Sequence, residues 1–324
     1  MCVTRIHRRR TASRAVSGRY CLGESGERQA VEAQLETAIL FPPFDWPSND
    51  GYSAANQRAL KVMSTYVAAA KPGNEAGKTD RRDAWWVGPL ATALGLGVFI
   101  VYATYRAISN QQYVVERAGG AGELLSPFYS PLLRPDWLPL WFSPAMLILW
   151  APGGFRLTCY YYRKAYYRAY FLDPPACAVG EPRKKYRGET RLLLFQNLHR
   201  YFLYLALVFL LILASDVVRA AIFESPDGRA VFGISVGTLV LAANVTLLGM
   251  YTFSCHSLRH LVGGNVDCFS CVVAGKARYK LYSGVTALNR RHMLWAWISL
   301  FMVGFADFYV WMVASGRIHD VRIL

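Results

Sequence analysis

Sulfur and imidazole side chains cluster along this chain in a way that could hold a metal. The densest stretch is Cys255-His256-Ser257-Leu258-Arg259-His260, followed by Cys268 and Cys271; Cys159 and Cys177 come before it. With His199 and His292, four of the six histidines and five of the seven cysteines sit at, or just outside, one end of the hydrophobic segments. Thiolate and imidazole are ligands for soft and borderline metals, so this grouping at one face of a membrane protein points to a metal centre and to electron transfer. His256 and His260 are spaced i, i+4 and share one face of a continuing helix, which suits two imidazoles on one iron or zinc. Cys255 lies about 100° further round that helix. Cys159 ends a hydrophobic stretch, and Cys177 lies in the loop Asp173-Pro174-Pro175-Ala176-Cys177. Two thiolates and two imidazoles drawn from Cys159, Cys177, Cys255, His256 and His260 would make a two-iron centre, with one of the five left beside it. Mixed Cys/His ligation raises the potential above that of an all-cysteine cluster, which helps electrons pass to a quinone. The plainer alternative is cysteines packed as small hydrophobes and histidines at the headgroup level. Cys268 and Cys271 form a CxxC pair, held in reserve beside the cluster or left as two free thiols.

His199 opens one hydrophobic stretch and His292 another, while Arg156 lies near Cys159. A boundary or intramembrane ionisable group is a functional candidate, and these three are the expected quinone contacts. Each histidine could also ligate a b haem or touch the cluster. For Arg156 the expected partner is a quinone carbonyl or a cofactor propionate, or Asp307 or Asp216 if the bundle bends to reach them. Two stacked b haems would need histidines near both ends of the spans. Apart from His319 the outer ends have none, so one inner haem held by His199 and His292 is the remaining haem alternative.

These groups must be positioned by membrane-spanning helices, each needing roughly 20 mostly apolar residues. Five stretches qualify: about Trp85 to Ile108, Trp137 to Cys159, Leu198 to Ile222, Val231 to Phe253 and His292 to Ala314. The expected fold is all-α, a polytopic membrane protein with a bundle of five transmembrane helices over residues 85–315. An N-terminal extension (1–84) and a short tail (316–324) flank it. The second stretch is broken by Pro144, Pro152, Gly153 and Gly154, which places it inside the bundle, where neighbouring helices satisfy freed backbone groups. Lys and Arg crowd the loops Tyr160–Asn197 and Cys255–Arg291 and are sparse in Asn110–Asp136 and Phe223–Ala230. The positive-inside rule then puts the N-terminus and both basic loops in the cytoplasm, in a cell inner membrane. The first outer loop is long enough to fold over the outer end of the bundle. The aromatic and basic run Tyr160–Arg168 reads as an interfacial belt and a docking platform for a soluble partner.

At 54% hydrophobic residues, the 324-residue chain is too apolar for an ordinary soluble protein. Its formal net charge of +15 is that of cytoplasmic loops against lipid headgroups, and no basic stripe on a nucleic-acid fold points to nucleic acid. Five cysteines fall on the reducing side, which argues against a disulfide framework. The first 62 residues have scattered charge, Arg8-Arg9-Arg10 and no periodicity. Met63 is the expected native start, with the segment before it an over-extended reading frame; a disordered tail is the alternative.

Several motifs in one order carry a family resemblance. The run Cys159–Arg168, the loop Asp173–Cys177, Cys255–His260 with Gly263-Gly264, and Asn289–His292 with Ala306–Tyr309 resemble the membrane-anchor subunit of actinobacterial-type succinate dehydrogenases. The likeness spans about Trp85 to Leu324. It implies a Rieske-type 2Fe-2S cluster in the membrane in place of haem, and cytoplasmic flavoprotein and iron–sulfur subunits docked on the basic face. It also implies a chain that anchors and relays electrons to quinone without oxidising succinate itself. The soluble Rieske pattern, Cys-x-His with Cys-x2-His, is missing, so the ligands do not follow from motif. The competing classes are a b-haem anchor and a zinc-binding small transporter or regulatory membrane protein, the last disfavoured by the scarcity of charge in the spans.

Overall fold

The computed structural model describes residues 76–116, 122–182, 194–225, 227–264 and 266–324. Met63 and the extension before it lie outside the described residues. The described residues fall into two compact units, 76–85 with 173–182, and the remainder. In the first unit, the Asp173–Cys177 loop region is tied to the segment ahead of the first span. Gly77 N–H donates to Gly180 O at 2.9 Å, Gly180 N–H to Lys78 O at 2.8 Å and the Arg81 guanidinium to Cys177 O at 2.8 Å. Asp83 pairs with Arg81, which holds its carboxyl below the usual range. Cys177 is disulfide-bonded.

The second unit is mostly helical. Its helices are α1 (Val87–Ser109), α2 (Ala145–Ile148), α3 (Trp150–Thr158), α4 (Tyr160–Tyr170), α5 (Leu194–Ala220), α6 (Val236–Phe253), α7 (His256–Gly263), α8 (Gly275–Asn289) and α9 (His292–Ala314). Two antiparallel hairpins join them: β1 (Val114–Glu116) with β2 (Glu123–Leu125), in register Val114↔Leu125, and β3 (Ile222–Glu224) with β4 (Ala230–Phe232). Among the described residues four helices are long and apolar enough to cross a membrane: α1, α5 from Asn197, α6 and α9. The outward faces of α1 and α5 carry Val98, Val101, Leu211 and Val218, and that of α9 carries Phe301 and Phe305, all more than half exposed. Such apolar surface suits lipid. α6 starts at a capping box in which the Ser235 and Thr238 side chains serve each other's backbone N–H.

The expected second span is not one helix. Pro144 caps a four-residue helix, Leu149 separates it from α3, and α3 stops where Cys159 turns extended. Pro152 is tolerated because it lies in the first turn of α3, where no intrahelical donor is lost. The basic loop after α6 holds α7, a 3-10 turn at Phe269–Cys271 and α8. That turn brings Cys268 and Cys271 to a Cα separation of 5.3 Å, and they are joined as a disulfide. The inference against disulfides therefore fails at Cys177, Cys268 and Cys271.

The two ends of the bundle are built differently. At the end where α1 and α9 finish, the first inter-span loop folds over the helices, as expected, burying Leu124, Leu125, Phe128 and Tyr129. Beneath it lies a buried ion pair between Arg106 and Asp307 at 2.8 Å. The Asp307 carboxylate also accepts from Tyr102 at 2.6 Å and Ser126 at 2.5 Å. Asp216 accepts from Ser130. Neither aspartate pairs with Arg156. The C-terminal tail is pinned at this end too, with Val236 N–H donating to Val321 O and Gly237 N–H to Asp320.

Candidate metal centre

At the other end, two cysteines occupy equivalent backbone positions. Cys159 (φ −61°, ψ 130°) breaks the chain between α3 and α4, and Cys255 (φ −62°, ψ 136°) breaks it between α6 and α7. An extended residue wedged between two helices takes its side chain off the helical face and into the core. Both thiols are buried, at 3% and 1% exposure, in one cluster with Leu96, Phe155, Tyr162, Leu203 and Tyr251. Each also stands at the N-terminus of the following helix. The backbone amides of Tyr161 and Tyr162 act on the Cys159 sulfur, and those of Ser257 and Leu258 on the Cys255 sulfur, at a looser geometry than a capping bond. A helix N-terminus offers partial positive charge to a sulfur anion. Burial dominates nonetheless and pushes the Cys255 thiol up to about 11. At neutral pH that sulfur carries a proton, which any metal must displace.

Each cysteine meets one histidine from another helix. His199, near the start of α5, places Nε2 at 3.1 Å from Cys255 Sγ, and His292, the first residue of α9, places Nε2 at 3.4 Å from Cys159 Sγ. The opposite ring nitrogens are held by hydroxyls. His199 Nδ1 lies 3.0 Å from Thr158 Oγ1, and His292 Nδ1 lies 2.6 Å from Ser254 Oγ. A hydroxyl has a single proton to give. Thr158 gives its proton to Gly154 O at 2.7 Å, and Ser254 gives its proton to Tyr251 O at 2.8 Å. With both hydroxyl protons so placed, the hydroxyls accept from Nδ1–H, and the tautomer is assigned from this network. Each neutral imidazole is left with a bare Nε2 lone pair turned to a sulfur.

The braces are crossed. The hydroxyl just before Cys159 orients the histidine that faces Cys255, and the hydroxyl just before Cys255 orients the histidine that faces Cys159. Aromatic rings support both imidazoles: Phe155 stacks on His199 at 4.7 Å and 3°, Tyr251 on His292 at 5.2 Å and 21°. Asn289 of α8 donates to Ser254 O at 2.6 Å, holding the turn that carries Ser254 and Cys255. Gly154 lets α3 approach α5, since a Cβ there would lie 2.3 Å from the Phe202 ring.

The other expected ligands go elsewhere. His256 and His260 are exposed and face each other, Nε2 to Nε2 at 3.0 Å. Their shared helix face is real, but it turns them towards one another. Partial desolvation on the packed side of the ring, then the neighbouring His260 and Arg259, lower the pKa of His256. Cys177 belongs to the first unit. His199 and His292, expected at a quinone, are engaged with the two thiols instead. Arg156 donates to Tyr162 Oη, to Ala296 O at 3.3 Å and to Ser299 Oγ at 3.1 Å. Thr158, Ser254 and Tyr251 were not picked out from the sequence. The legible signal for the first two was a hydroxyl residue immediately preceding each buried cysteine.

Among the described residues, no three His, Cys, Asp or Glu side chains gather as a single ion would need. A two-iron centre asks for less, because sulfide bridges complete each iron and the protein supplies two ligands apiece. Two thiols and two imidazoles with Nε2 free meet that requirement. A metal-bound histidine usually donates its far ring N–H to an acceptor that orients it, and here the Thr158 and Ser254 hydroxyls take that place.

Four helices long and apolar enough to cross a membrane, with two thiol–imidazole pairs buried at one end, define a membrane-embedded subunit. Residues 87–316 match the family model of the actinobacterial succinate dehydrogenase subunit SdhC. The chain belongs to this family and is a membrane-anchor subunit of a succinate dehydrogenase complex. A chain of the Mycobacterium smegmatis Sdh1 complex in the apo form is similar to it, with 44% identity and a TM-score of 0.66 over 76% of this chain and 94% of that one. No curated protein is significantly similar.

Proposed function

We propose that Cys159, Cys255, His199 and His292 hold a Rieske-type 2Fe-2S cluster, and that the subunit uses it to relay electrons to a quinone. The observation that carries this reading is the pair of crossed braces, which turn two imidazole lone pairs onto two buried sulfurs. When bound, such a cluster takes up one electron at a time at a higher potential than an all-cysteine cluster. The chain supplies the rest. Thr158 and Ser254 hold the imidazoles neutral with Nε2 available, Phe155 and Tyr251 fix the ring planes, and the packed core excludes water from the sulfurs. Electrons would arrive from an iron–sulfur subunit that serves a flavoprotein, both docked on the basic face, with that face and the N-terminus cytoplasmic. A b haem on His199 and His292 would leave the two buried thiols of Cys159 and Cys255 without a role, although each lies beside one of the imidazoles. A structural zinc would need the four ligands to close on one point.

Iron, acid-labile sulfide and haem measured on the purified complex, with electron paramagnetic resonance after reduction, test this. A Rieske-type signal with two irons beyond the partners' clusters is expected. A pyridine haemochrome, or only all-cysteine signals, would refute it. Removing a brace gives a graded version. Ser254→Ala and Thr158→Val should each weaken cluster retention by about 10–100-fold, as loss of an outer partner does, with the fold kept. Unchanged iron content in both would contradict the assigned tautomers.

A further inference from the structure

We infer that Tyr251 and Arg156 set the reduction potential of the thiol–imidazole centre. The inference rests on the cluster reading above and concerns two residues that do not ligate. Tyr251 is 1% exposed, and its hydroxyl has no hydrogen-bond partner of normal geometry. A buried hydroxyl without an acceptor is unfavourable, so it calls for a reason. The sulfur it interacts with is that of Cys159, and its ring lies against His292. The hydroxyl is therefore a donor held beside one thiol and one imidazole of the centre, with no stronger acceptor to draw it away.

Arg156 is the second unusual group. Its guanidinium carbon lies 4.7 Å from the Tyr251 ring centroid and 5.5 Å from that of Tyr162. Its hydrogen bonds all go to neutral oxygens of Tyr162, Ala296 and Ser299. Among the described residues no carboxylate pairs with it. A cation kept in the bundle without a counterion leaves its charge to act on neighbours, and Cys159, three residues on, feels it.

Adding one electron puts one more negative charge on a site enclosed by low-dielectric protein. A fixed cation and a hydroxyl donor at the sulfur both favour that charge, so both raise the potential. If Arg156 were only a tie between α3 and α9, its replacement would change assembly and leave the potential alone.

The test is a potentiometric titration of the Rieske-type resonance in the intact purified complex, with its other paramagnetic centres as internal references. Tyr251→Phe, which removes one oxygen and keeps the stacked ring, should lower the one-electron equilibrium constant about tenfold, ~59 mV. Arg156→Gln should lower it at least as far, and Arg156→Lys should recover most of the loss. Should Arg156→Gln fail to assemble, Tyr251→Phe alone decides. A wild-type resonance whose potential is unmoved by Tyr251→Phe and Arg156→Gln overturns the inference and leaves the cluster standing. A wild-type complex with no such resonance overturns the cluster reading and this inference with it.

Discussion

His292→Ala in the assembled complex is expected to remove the Rieske-type resonance and to cut succinate-driven quinone reduction by more than about 100-fold, beyond the range for loss of an outer-shell partner. Oxidation of succinate with an artificial acceptor at the soluble subunits should survive. His292 opens α9, so its backbone begins a span whatever its side chain, and Ser254 and Cys159 keep their own backbone placements. The substitution removes the lone pair facing Cys159, together with the bond to Ser254 and the stack on Tyr251. His199→Ala should behave alike, from the other pair. The informative controls are His256→Ala and His260→Ala. They sit next to Cys255 in sequence, share a helix face and are the more conspicuous motif, yet they face each other at the surface. Both should retain the resonance. Loss in the His256 and His260 variants with retention in the His199 and His292 variants would reassign the ligands to α7.

Asp307→Ala should destabilise the subunit by about 3–5 kcal/mol, the cost of leaving a buried charge without its partner. Arg106 and Asp307 are 1% and 0% exposed. The carboxylate also holds Tyr102 of α1 and Ser126 of the loop over the bundle end. Arg106 in turn donates to the backbone oxygens of Gln111 and Gln112. One aspartate therefore fastens α9 to α1 and to the covering loop. Arg106→Met with Asp307→Leu removes both charges together and should recover most of the stability, since a well-packed apolar pair often replaces a buried ion pair without loss. Thermal inactivation of the detergent-solubilised complex reads this. A single Asp307→Ala variant as stable as wild type would contradict the latch, and a double variant no better than the single would show that the hydrogen bonds matter more than the charges.

Residue chemistry was easier to see in the sequence than residue partnership. Four spans were legible because each is a long apolar run, and length alone identifies such a helix. The stretch around Pro144 and Pro152 has similar composition, but Leu149 and Cys159 interrupt it, and composition does not register where a helix restarts. Thiols and imidazoles at one end of the bundle were legible as well. Which imidazole meets which thiol was not. The spacing of His256 and His260 described local geometry correctly, yet Cys255 is extended and leaves their helix face. Its actual neighbour, His199, is 56 residues away in sequence, and the neighbour of Cys159 is 133 residues away. Such pairings arise from how helices pack. The crossed hydroxyl braces depend on two breaks with matching dihedrals, and no local periodicity announces them. Arg106 lay unremarked inside the first span, because a charge in an apolar run makes sense only when its partner on α9 is known.

The central claim is that imidazoles from α5 and α9, rather than cysteine sulfur alone, bind the redox centre. Pulsed electron paramagnetic resonance of the reduced complex, prepared with 15N-labelled histidine in this subunit, addresses it most directly. Strong coupling to two histidine nitrogens, lost in His199→Ala and His292→Ala and retained in His260→Ala, is the predicted result. A reduced complex whose signals carry no histidine nitrogen coupling would contradict the account and leave this subunit an anchor without a redox centre of its own.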